Sequence, residues 1–80
     1  MDLTNITTTH DGEQVVDGLG LCKAVAKATG MDPMRAWLLV GGTANASGFE
    51  VLAVGPKGDQ SAYRLGDAQA LADHLVAKGA

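Results

Sequence analysis

Aromatic side chains are scarce in this sequence: Trp37, Phe49 and Tyr63 are one of each kind in eighty residues. A core must therefore be filled with Leu, Val, Met and Ala, which favours close helix–sheet contacts through small side chains. Cysteine is scarcer still. Cys22 stands alone, so an internal disulfide is excluded and nothing points to an oxidising compartment. No apolar run comes near the ~18 residues that cross a bilayer, and no charged stretch leads into an apolar one as in a secretion signal. The expected location is the cytoplasm. Asn5-Ile6-Thr7 and Asn45-Ala46-Ser47 match the glycosylation sequon, a match without meaning in a chain that carries no secretion signal.

Lys and Arg are missing altogether from the first twenty residues, which hold four acids, Asp2, Asp11, Glu13 and Asp17. The remaining sixty carry six bases against five acids, so the net charge of −3 originates at this one end. A chain of this length makes one domain, residues 1–80, and buries only about 60–65% of its unfolded surface.

Leu3–Thr8 is rich in Thr and Ile, and Glu13–Val16 is extended in character. Asp11-Gly12 between them supplies the positive φ of a tight turn, so residues 3–16 read as a β-hairpin. Asp17 then caps a helix that runs to about Thr29, with Leu21, Val25 and Ala28 inward and Lys23 and Lys27 outward. Gly18 and Gly20 weaken its first turn, and Gly30 fits its left-handed end.

Residues 31–42 carry two conflicting signals. Asp32-Pro33 starts a helix that would end at Gly41, whereas Trp37-Leu38-Leu39-Val40 is a dense apolar run ahead of Phe49–Val54, its natural partner. The strand over 35–40 is preferred, with Gly41–Gly48 a mobile loop. Phe49–Val54 and Ser61–Leu65 read as strands joined by a type I turn at Gly55-Pro56-Lys57-Gly58. Asp67 caps a last helix that buries Ala68, Leu71, Ala72, Leu75 and Val76. The class is α+β: an antiparallel sheet of four to five strands with two helices, in the order ββαβββα, sequential strands pairing as neighbours.

No constellation for catalysis stands out. Cys22 has no base within sequence reach, and His10 and His74 sit in a turn and on a helix. No paired spacing suits a metal. Gly18-Leu19-Gly20 lacks a third glycine at Lys23 and so fails the dinucleotide fingerprint, and Gly41-Gly42 is an ordinary turn. No catalytic, cofactor-binding or metal-binding residue is expected, and no enzyme.

Two features remain. Leu38, Val40, Leu52 and Val54 would share the second face of the sheet, covered either by the helices and hairpin or by a dimer or other partner. The carboxylates Asp2, Asp11, Glu13 and Asp17, with Glu50 further along, would form an exposed rim that attracts basic surfaces or simply solubilises the chain.

The order αβββα from residue 18 resembles a double-stranded RNA-binding domain. However, the start of its last helix reads Gly66-Asp67-Ala68-Gln69, without the lysines that grip phosphates. Gly12–Asp17, Leu21–Ala24 and Arg35–Leu38 resemble the start of phage KilA-type antirepressor domains without their basic character. In size, acidity and sheet-plus-helix build the whole chain resembles phage-encoded anti-CRISPR proteins. That resemblance implies a non-enzymatic inhibitor whose acids occupy the basic nucleic-acid groove of a CRISPR surveillance complex, with Asp2, Asp11, Glu13, Asp17 and Glu50 as contacts. The alternatives are a small homo-oligomeric assembly protein, and a DNA-binding regulator using Lys23, Lys27 and Arg35.

Overall fold

The hairpin closes where Asp11-Gly12 predicts it. In the computed structural model, which describes residues 3, 6–9, 11–55, 57–58 and 60–78, Gly12 has φ +85°. Its N–H donates to Thr9 O at 2.9 Å, and the Thr9 N–H donates to Glu13 O at 2.8 Å. Strands β1 (Ile6–Thr8) and β2 (Gln14–Asp17) pair antiparallel on either side of this turn, Thr7 opposite Val15.

Helix α1 (Gly18–Thr29) follows β2 directly, so the two glycines of its first turn do not delay it. Both are buried, and at Gly18 a Cβ would meet the Ser61 carbonyl oxygen at 3.2 Å. Absence of a side chain is what lets the helix start so close to the sheet. Asp17 holds the N-cap position but its side chain makes no capping hydrogen bond. Gly30 ends α1 at φ +76°, with its N–H on Ala26 O.

The segment after Gly30 departs from the preferred reading. Instead of a strand over 35–40 and a loop over 41–48 there is one helix, α2 (Pro33–Ser47). Pro33 occupies its first turn and Gly48 its left-handed end, φ +76°. The physical reason lies in which residues it buries. Ala36, Val40 and Ala44, four apart, face the protein, while Trp37 and Leu38 face water. A core stripe of small residues lies beside an exposed stripe of large ones, and together they mimic an unbroken apolar run.

The rest is β3 (Leu52–Val54), β4 (Gln60–Arg64) and α3 (Leu65–Ala77). A turn joins β3 to β4 at the expected place, the Gly58 N–H donating to Gly55 O at 3.1 Å; Pro56 lies outside the described residues. β3 is three residues shorter than the strand read at Phe49–Val54, and α3 begins two residues before Asp67, which sits in its first turn rather than at its cap.

The fold is α+β, with three helices and a four-stranded antiparallel sheet among the described residues, in the order ββααββα. Strands do not pair simply in sequence. The sheet order is β1-β2-β4-β3, because β4 inserts between the hairpin and β3, setting Val16 opposite Tyr63 and Leu52 opposite Ala62. Val16 and Tyr63 point into the helical layer and join Leu21, Val25, Leu71 and Leu75 in the core. Helices α1 and α3 lie on the sheet; α2 rests chiefly on α1 and α3, which makes it the outermost element.

Candidate functional site

The carboxylates read as one rim occupy separate places. Register places Val15 and Arg64 side by side on the sheet face turned away from the helices. Arg64 Nη1 lies 2.7 Å from Glu50 Oε1, and its Nε pairs with Glu13 Oε1. Two candidate acids from distant parts of the chain thus close on one guanidinium, and both hold its pKa above the usual value, Glu50 first. The three groups together carry a charge of −1. Glu13 and Arg64 border an open depression of about 470 Å³ over Val15, Leu52 and Val54, to which Asp11 also contributes.

Asp17 is elsewhere. It ends β2 four residues after Glu13, about 13 Å along an extended strand, half-buried beside Leu19, Trp37 and Ser61. Asp2 lies outside the described residues, as does His10. Lys23, Lys27 and Arg35 are all exposed, the lysines one turn apart on α1 and the arginine on α2.

The second sheet face expected from Leu38, Val40, Leu52 and Val54 does not exist as a unit, because helix replaces strand at 35–40. Val40 is in the core, Leu52 and Val54 are half-buried around the depression, and Leu38 is on the outer side of α2. Leu38 has company there. Met34 and Leu38 are each 67% exposed and Trp37 47%, and the neighbouring Leu19 and Val51 are 51% and 53% exposed. Trp37 links them: on one side it borders a groove with Leu19, on the other a groove of about 160 Å³ with Gly41 and Val51. Of the exposed large hydrophobics among the described residues, Ile6 alone lies apart from this surface.

Met34, Leu38, Gly41 and Asn45, spaced four, three and four, form one stripe along α2. Arg35 is the one charged residue in the helix, with no acid in its first turn and no base in its last. Sequence reasoning missed Met34, Trp37, Leu19 and Val51 as surface residues. The Asp32-Pro33 start and the glycine at 48 were the signals that could have found Met34, since a helix between those points puts residues 34, 38, 41 and 45 on one side; Leu19 and Val51 lie outside that helix and no local signal marks them.

Cys22 is buried under Trp37, beside Tyr63. Desolvation, then the nearby Asp17 charge, pushes its thiol up from 9.0 to about 11. Such a thiol is protonated at neutral pH and a poor nucleophile. Among the described residues no three His, Cys, Asp or Glu side chains are grouped to hold a metal ion, and no helix is long and apolar enough to cross a membrane. Compared with protein families, curated proteins and solved structures, the chain matches none.

Proposed function

We propose that this chain is a non-enzymatic protein-binding module whose contact surface is the outer side of α2, centred on Trp37. One observation carries the reading: of the six large apolar side chains exposed among the described residues, Met34, Trp37 and Leu38 stand on α2, and Leu19 and Val51 line the grooves on either side of Trp37. From their exposures these five present on the order of 500 Å² to water, within the range of the largest patch on a typical monomer, where such patches mark interaction sites. Tryptophan is among the residues most enriched in binding hot spots.

A second reading keeps the acidic contact: an anti-CRISPR-like inhibitor that docks its carboxylates in a basic nucleic-acid groove. What favours it is that Asp11 and Glu13 line one depression while Glu13 and Glu50 close on the same guanidinium. Arg64 among them reduces the attraction, and Asp17 stands at the other end of β2.

One experiment separates the two. Tagged wild-type chain, the variant Leu38→Glu and the triple variant Asp11→Lys/Glu13→Lys/Asp17→Lys are compared for retained partners. Loss with Leu38→Glu alone supports the α2 surface. Loss with the triple variant alone supports the acidic contact and overturns the first reading.

A further inference from the structure

Gly41 and Gly42 sit in the middle of a fifteen-residue helix, where only proline is a poorer helix former than glycine. Neither has a positive φ, and a Cβ at either would meet nothing within 4 Å. Packing within the chain therefore gives no reason for glycine at these positions, whereas at Gly18 it does. Close approach of something outside the chain is the remaining structural use.

We infer, resting on the reading of α2 as the contact surface, that its occupant is a second copy of the chain, the two α2 helices crossing antiparallel with Leu38 of each against Gly41 of the other. Three observations fit that occupant. The exposed stripe carries large apolar side chains in its first half (Met34, Leu38) and a glycine and a polar residue in its second (Gly41, Asn45), so reversing one copy sets Leu38 in the space that Gly41 leaves and Met34 beside the Asn45 side chain. This is the self-complementarity a two-fold interface requires.

Charge agrees with shape. The chain carries −3 overall, yet α2 has no acid, so pairing there brings no carboxylates together. The C-terminal end of α2 has no base in its last turn, and the acid at its N-terminal end is the N-cap Asp32, whose side chain makes no capping hydrogen bond. An antiparallel partner supplies the complement, the partly positive N-terminus of one helix beside the partly negative C-terminus of the other.

Area sets the strength. The on the order of 500 Å² exposed by the five side chains is below the ~800 Å² per partner of a standard interface. An interface of that size falls among the small, transient ones.

Sedimentation of the full chain from ~10 μM to ~1 mM should show a monomer giving way to a dimer. Leu38→Glu should raise the dissociation constant about a hundredfold, with circular dichroism confirming the fold. Gly41→Ala, which helix propensity stabilises, should weaken the dimer about tenfold while the monomer becomes harder to unfold. Geometry is read by oxidation in a Cys22→Ala background. Leu38→Cys should cross-link to itself, and Met34→Cys should link to Asn45→Cys but not to itself, the two Met34 positions being about 16 Å apart along the pair. A wild-type chain monomeric to ~1 mM, or Met34→Cys linking to itself, overturns the inference. Either result leaves the α2 contact surface standing if Leu38→Glu still abolishes capture of a different protein.

Discussion

Gly18 and Ser61 meet at the start of α1: a Cβ on Gly18 would lie 3.2 Å from the Ser61 carbonyl oxygen. The contact is with backbone in β4, which cannot rotate aside as a side chain could. Gly18→Ala should therefore destabilise the fold by about 1–2 kcal/mol, the range for overpacking. Urea unfolding at fixed concentration measures it, and an unchanged midpoint would show that the helix can shift away.

Gly41→Ala should do the opposite to the isolated chain. With nothing within 4 Å of the added methyl, helix propensity is the main term, giving a gain of about 0.5–1 kcal/mol. The measurement is urea unfolding at low protein concentration, where self-pairing does not contribute.

Arg64→Ala leaves Glu13 and Glu50 facing one another without the cation between them. The groups are solvent-exposed, so the expected loss is small and depends on salt. The melting temperature of the variant should lie below wild type at low ionic strength, and the gap should close as salt is added. A gap that persists in high salt would mean Arg64 acts by packing over Val15 instead.

Cys22 makes stability depend on alkaline pH. Its folded-state pKa, about 11, is above its ordinary 9.0, so the fold favours the protonated thiol. The resulting stability is complete below pH 9 and is lost as pH rises from 9 towards 11, by about 3 kcal/mol at most. Tyr63, pushed up by burial and by Cys22, contributes in the same direction. Unfolding midpoints at pH 8 and pH 10.5 test this, with Cys22→Ala expected to lose part of the difference. A thiol reagent should react slowly with native chain and promptly once it unfolds.

Turns and helix ends were legible from single residues. Asp11-Gly12 closed a hairpin, Gly30 ended a helix, and Gly55–Gly58 turned the chain, since positive φ and turn hydrogen bonds are local matters. Residues 33–48 were misread although both ends were marked, Pro33 at the start and Gly48 at the finish. Trp37 and Leu38 belong to a surface and Val40 to the core, and composition alone does not separate those uses of the same apolar character. The candidate acids were visible as residues but not as an arrangement. Arg64 reaches Glu13 and Glu50 only because β4 inserts between β2 and β3, which no local pattern encodes.

What the amino-acid order determined by itself was the α+β class, the turns, and a core built mostly of Leu, Val and Ala, because each follows from backbone preference or residue size. Tertiary structure alone decided that α2 would be the outermost layer. Once α1 and α3 cover the sheet, a third helix can bury only the narrow line of Ala36, Val40 and Ala44, and its bulkiest side chains are left facing water.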